Sequence, residues 1–176
     1  MDASLAWMTD DTATGTRVVS DREQAFLSLI HTHRGIITKL VRLYVDHRED
    51  QRDLTQEIIL QAWKSYDRFE GRSAFSTWLY RVTLNTVLTY RRKYQPEPLP
   101  ESFQMAAPGR DYESSQLLLW AMKQLRDVER MIVALHLEGY DNTEIAQIVG
   151  LTPNHVAVKL HRAKKRLTDL IQREEA

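Results

Sequence analysis

The chain has 176 residues, 43% of them hydrophobic, which suffices for one sizeable domain or two small ones and excludes a disordered tail protein. It contains no cysteine, so a disulfide scaffold, a thiolate zinc site, an iron–sulfur cluster and a cysteine nucleophile are excluded together. Its 24 Lys plus Arg balance 24 Asp plus Glu, but the charges are segregated. Gly71 to Lys93 carries Arg72, Arg81, Arg91, Arg92 and Lys93 with no acid, and Leu151 to Ala176 carries six bases against three acids. Two basic blocks, each closing a separate lobe, favour contact with a polyanion over a merely solvated face.

In chain order, residues 1–20 are polar and acidic, unlike a signal peptide, and are expected to be a disordered tail. No apolar run approaches the roughly 20 residues that cross a bilayer, so a soluble, cytoplasmic protein without membrane insertion is expected. Helical spacing then links Phe26, Ile30, Ile37, Leu40 and Tyr44. It continues through Leu54, Ile58, Ala62 and Tyr66 in a helix opening at Asp53, and through Phe75, Leu79, Val82 and Thr86. Pro96, Pro98, Pro100 and Pro108 crowd a stretch with little periodicity, read as a flexible linker over 95–112. The periodicity resumes with Leu117, Trp120, Leu125, Val128, Ile132 and Leu135, then Ile145 and Ile148, then Val156, Leu160, Ala163, Leu167 and Leu170.

No strand alternation appears, and the expectation is an all-α chain of two small helical domains, 21–94 and 113–173, joined by the proline-rich linker. Asp141 with Glu144 has capping-box spacing, and Thr152-Pro153 supplies an N-cap followed by a proline at the first helical position. Gly150, Leu151 and Thr152 alone separate the two helices. This is the spacing of a helix-turn-helix, whose second helix enters the major groove. With Val156, Leu160, Ala163 and Leu167 buried, Asn154, His155, Val158 and Lys159 would reach base edges, and Arg162, Lys165 and Arg166 phosphates.

The first basic block interleaves bases with aromatics: Phe69, Arg72, Phe75, Trp78, Tyr80, Arg81, Tyr90, Arg91 and Arg92. Such a mixture suits single-stranded nucleic acid, where rings stack on bases and arginines meet phosphates, although Phe75, Leu79, Val82 and Trp78 also read as core. Arg81, Asn85 and Arg92 fall on a different face. The helix from Asp53 has a second apolar face, Ile59, Leu60 and Trp63 beside Gln56 and Glu57, which either packs internally or meets a partner. The six histidines lack metal-ligand spacing, and no phosphate loop, nucleophile elbow or carboxylate pair is found. No catalytic residue, metal site or cofactor is expected.

In order, these residues resemble the extracytoplasmic-function (ECF) sigma factors of bacterial RNA polymerase. The first lobe carries Asp53-Leu54-x-Gln56-Glu57, Ala62-Trp63, Phe69, Phe75-x-x-Trp78-Leu79-Tyr80-Arg81-Val82-x-x-Asn85 and Arg91-Arg92. The second carries Leu125, Arg130, Glu144-Ile145-Ala146, Val156, Leu160-His161-Arg162-Ala163 and Leu167. The resemblance implies that Asp53, Gln56, Glu57, Ile59 and Trp63 dock on the clamp helices of the core polymerase. It implies that Phe69, Arg72, Ser73, Trp78, Arg81, Asn85, Arg91 and Arg92 capture the melted minus-ten strand, with a flipped base held at Asn85 and the loop before it. Asn154, His155, Val158, Lys159, Arg162, Lys165 and Arg166 would read the duplex minus-thirty-five element, and that lobe would touch the polymerase flap. An anti-sigma factor is implied as a further partner. The function expected is promoter recognition and melting without any bond change. The competing expectation is a conventional helix-turn-helix regulator with an amino-terminal sensing or dimerisation lobe.

Overall fold

The computed structural model describes residues 20–94 and 114–175, and all regular structure among them is helical. Residues 1–19 of the expected tail and the whole expected linker lie outside the described residues.

In the first lobe, α1 spans Asp21–Tyr44. Ser20 caps it by accepting the Glu23 N–H at 3.2 Å, and Asp21 and Glu23 complement the positive end of the helix. Phe26, Ile30, Ile37, Leu40, Val41, Leu43 and Tyr44 bury its inner face. The second helix, α2, spans Arg48–Ser65 and so begins at Arg48, not at Asp53 as the sequence reading had it. His47 offers no side-chain cap, but Glu49 and Asp50 in the first turn stabilise the earlier start electrostatically. Leu54, Ile58 and Ala62 are fully buried. A 3-10 turn, Tyr66–Arg68, and a loop with Gly71 at φ 70° lead into α3, Phe75–Tyr94.

The core stripe of α3 differs from the one expected. Leu79 is buried as anticipated, but Tyr80, Thr83, Leu84 and Val87 join it, while Val82 and Thr86 are only half-buried. The cause is a second neighbour: α3 packs on α1 and α2 on one side and on α6 of the other lobe on another, so its buried arc is wider than a two-helix contact requires.

The second lobe contains α4 (Ser114–Lys123), α5 (Asp127–Leu137), α6 (Asn142–Val149) and α7 (Pro153–Glu175). Its core gathers Trp120, Leu125, Met131, Ile132, Leu135, Ile145, Ile148, Val156, Leu160, Ala163 and Leu167. Asp141 and Glu144 form the reciprocal capping box at the start of α6. Gly150 closes α6 at φ 74°, ψ 34°, a left-handed cap that a side chain would strain. Its N–H and that of Leu151 both return to the Ala146 carbonyl, at 2.9 and 3.1 Å.

The organising polar group of this lobe is Arg130. It is 5% exposed, and its guanidinium donates to the carbonyls of Met122, Lys123 and Leu125 at 3.1, 2.6 and 3.1 Å and to that of Leu43 in the first lobe at 3.3 Å. Three of these are at or just beyond the end of α4, where carbonyls have no partner within the helix. Burial pulls the Arg130 guanidinium below its ordinary pKa, opposed first by the neighbouring Tyr44. An arginine nevertheless stays charged throughout the working range.

Candidate functional site

Three exposed surfaces carry the sequence-predicted residues. On α2, Asp53, Gln56 and Glu57 are exposed and Ile59 is half-buried. Glu57 accepts from the Gln61 amide at 2.7 Å. The apolar side chain most open to solvent here is Leu60, 44% exposed. Trp63 sits deeper than a free docking residue: its ring lies 5.0 Å from Phe26 and 6.3 Å from Tyr66, and the Arg22 guanidinium covers it at 4.6 Å.

The second surface is the outer face of α3 with the loop before it. Trp78, Arg81, Asn85 and Arg92 are separated by three, four and seven positions and so fall on one helical stripe. Arg81, Asn85 and Arg92 are exposed, and Trp78 is half-buried at their edge. Among the described residues no carboxylate pairs with Arg81 or Arg92; the Arg92 guanidinium only approaches the Thr89 hydroxyl, at 3.4 Å. In the loop, Ser73 is exposed, and Arg72 is held to Glu70 at 2.5 Å while remaining open to solvent.

Most of the aromatics that interleave with these bases face one another. Phe69, Phe75 and Trp78 form a triangle with centroids 5.6, 5.2 and 5.1 Å apart, and Tyr66 extends it towards Trp63. They build a rigid floor beside the arginine stripe and leave the edges of Phe69 and Trp78 accessible.

Two members of the block leave this surface altogether. Tyr80 turns into the contact with the second lobe. Arg91, expected with the strand-binding group, lies a quarter-turn away from Arg92 and binds Asp127 of the second lobe at 2.5 Å. Periodicity alone could not reveal this, because it assigns a face and not the neighbour opposite.

The third surface opens α7. The Thr152 hydroxyl accepts the His155 N–H at 3.3 Å, the proline at 153 begins the helix, and Val156, Leu160, Ala163 and Leu167 anchor it. Asn154, His155, Val158, Arg162, Lys165 and Arg166 are exposed, and Lys159 is half-buried. No acid occurs between Pro153 and Thr168, and none of the exposed bases there has a carboxylate partner among the described residues. Val158, 42% exposed, is an apolar spot on this otherwise polar face. On the adjacent flank Lys164 donates to His136 at 2.8 Å, which ties α7 to α5.

Among the described residues no group of three or more His, Asp or Glu could hold a metal ion, and no helix is long and apolar enough to cross a membrane. The geometry offers polyanion-binding faces on rigid helices, one beside aromatic rings and the other at the start of a helix-turn-helix second helix.

Family comparisons agree with this division. Residues 29–97 match sigma-70 region 2 and residues 115–167 match sigma-70 region 4, together more than half of the chain. The protein belongs to the sigma-70 family of RNA polymerase sigma factors. Over 187 residues it is 27% identical to the ECF RNA polymerase sigma-E factor of Haemophilus influenzae, covering 96% of this chain and 98% of the relative. It is 28% identical over 176 residues to the ECF RNA polymerase sigma-E factor of Escherichia coli K12, covering 89% and 91%. Within the family it is an ECF sigma factor.

The same fold occurs in CnrH, solved in complex with the cytosolic domain of CnrY, at a TM-score of 0.64 and 22% identity over 86% of this chain and 90% of that one. It also occurs in RpoE of Bartonella quintana, solved with the anti-sigma factor NepR, at a TM-score of 0.61 and 21% identity over 86% and 97%.

Proposed function

We propose that this sigma factor divides its work between its two lobes, residues 21–94 and 113–173. The first lobe docks on the clamp helices of core polymerase through Asp53, Gln56, Glu57, Ile59 and the accessible part of Trp63. It holds the melted minus-ten strand on Phe69, Arg72, Ser73, Trp78, Arg81, Asn85 and Arg92. Exposed arginines meet phosphates, the rings at the edge of the aromatic floor receive bases, and the Asn85 amide pairs with a base edge. Arg91 joins this set only when it is released from Asp127.

The second lobe sets α7 in the major groove of the minus-thirty-five element. Asn154, His155, Val158 and Lys159 face bases, Arg162, Lys165 and Arg166 face phosphates, and the lobe touches the polymerase flap. Strand capture draws an existing opening equilibrium towards the melted state, so the protein needs neither a cofactor nor a catalytic residue of its own. It acts in the cytoplasm and is held in check by an anti-sigma factor.

The observation that carries this reading is the presence, in one chain, of two unpaired cationic faces with different surroundings: rings beside Arg81, Asn85 and Arg92, and a capped helix-turn-helix beneath Asn154 and Arg162. Run-off transcription with core polymerase on genomic fragments, with start sites mapped, tests it. Starts that appear only when the protein is added support the reading. Absence of core binding and of new starts overturns it in favour of a stand-alone duplex-binding regulator.

A further inference from the structure

The outward face of α7 holds one group that can neither donate nor accept a hydrogen bond. Between Asn154 and Arg166 every exposed side chain except Val158 is polar or cationic. Val158 stands two positions beyond the fully buried Val156, which at about 100° per residue places it about 200° around the helix. It therefore points away from the stripe of Val156, Leu160, Ala163 and Leu167 that seats α7 on its lobe. Asn154 lies one turn before it and Arg162 one turn after it, on the same side.

A single exposed apolar side chain is ordinary on a protein surface, but this one occupies the middle of a cationic and polar face. At 42% exposure it adds little to the core, and it brings neither charge nor a hydrogen bond to a polyanion. Its branched Cβ holds it to one preferred rotamer on a helix, so its two methyl groups are fixed in place. In the major groove, guanine, adenine and cytosine present only donors and acceptors, whereas thymine also presents a methyl group. Set against a polar edge, Val158 would displace water without replacing its hydrogen bond, which is unfavourable. Set against thymine, two apolar surfaces cover each other.

We infer that Val158 is a specificity-determining residue of the minus-thirty-five contact and selects a thymine through its C5-methyl group. The inference rests on the reading that α7 enters the major groove of that element. Asn154 is four residues earlier, about 6 Å along the helix axis at about 1.5 Å per residue. That is about two base pairs at about 3.4 Å per pair, so the selected thymine lies within about two pairs of the base that Asn154 meets.

Holoenzyme assembled from core polymerase and the full-length protein, with synthetic promoter duplexes built on the mapped starts, tests this. Deoxyuridine replaces each thymine of the element in turn, on either strand, which deletes one methyl group and leaves every donor and acceptor of the pair unchanged. One of these substitutions should weaken binding about fourfold, the effect of withdrawing roughly one methyl group from burial. Val158→Ala should bind the thymine duplex about as weakly as the unmodified protein binds the deoxyuridine duplex, and should no longer distinguish the two. Alanine favours the helix and position 158 lies outside the core, so α7 stays folded, which circular dichroism checks. Val158→Ile keeps a branched apolar group and should retain the discrimination.

Equal binding of all the deoxyuridine duplexes, an element without any A·T pair, or discrimination that survives Val158→Ala overturns the assignment. Run-off transcription with the unmodified protein separates that failure from failure of the promoter reading. Starts that depend on the protein uphold the promoter reading whatever the deoxyuridine duplexes show, and without such starts both fall.

Discussion

Replacing Arg130 by methionine keeps the length and apolar stem of the side chain but removes a guanidinium that serves four carbonyls, those of Leu43, Met122, Lys123 and Leu125. Hydrogen bonds from a charged donor contribute about 1.5–3 kcal/mol each, which over four bonds is roughly 6–12 kcal/mol. Holding a guanidinium at 5% exposure costs several kcal/mol of lost hydration, which methionine recovers. The difference, with the carbonyls left poorly solvated, is about 3–5 kcal/mol of destabilisation. For a lobe of some 60 residues each kcal/mol moves the midpoint by about 4–8 °C, so the second lobe should melt at least about 12 °C earlier.

Differential scanning calorimetry on the full chain measures the shift, and emission from Trp120, buried in the second lobe, assigns it in a variant whose other three tryptophans are replaced by phenylalanine. Arg130→Lys keeps the charge but not the planar fork, and should lose roughly half as much. A shift below about 4 °C for Arg130→Met would mean that water replaces the guanidinium at no cost, and the account of Arg130 as the organiser of this lobe would fall.

Other expectations follow from the exposed faces. Gln56→Ala with Glu57→Ala should abolish core-polymerase capture in a pull-down while the circular dichroism of both lobes is kept, because neither side chain is buried; undiminished capture refutes the docking face. Asn85→Ala should lower permanganate reactivity of promoter thymines more than it lowers initial duplex binding, and unchanged reactivity removes Asn85 from strand capture. Arg162→Ala should reduce the slope of log affinity against log salt by about one, whereas an unaltered slope places Arg162 off the phosphates.

Alkaline pH should loosen the molecule. Burial, reinforced by the Glu138 hydrogen bond, raises the Tyr80 hydroxyl above its ordinary value near 10, and burial also raises that of Tyr44. The folded state therefore holds these protons more tightly than the unfolded chain, so their contribution is complete below about pH 10 and is lost as pH climbs beyond it. Tyr80→Phe should flatten the fall in unfolding free energy above pH 10. A slope identical to that of the unmodified protein would contradict the assignment.

The elements themselves follow from local chemistry in the sequence. The capping box of Asp141 and Glu144, the left-handed Gly150 and the Thr152-Pro153 start depend on neighbours within a few residues, and together they define the helix-turn-helix whose basic face carries Asn154 and Arg162. The stripe of Arg81, Asn85 and Arg92 is likewise a matter of helical phase, and these residues are exposed as that phase predicts. What periodicity does not carry is the identity of the opposite surface. Val82 and Thr86 satisfy the same spacing as Thr83 and Val87, yet only the second pair is fully buried, where α3 meets α1, α2 and α6 together. Arg91 and Arg92 are adjacent and chemically alike in the sequence, yet the fold commits Arg91 to Asp127 and leaves Arg92 to solvent. The partners of Tyr44, Tyr80 and Arg91 lie 83, 58 and 36 positions along the chain, beyond the reach of any local pattern. Only closing the two lobes on each other brings these groups within hydrogen-bonding distance.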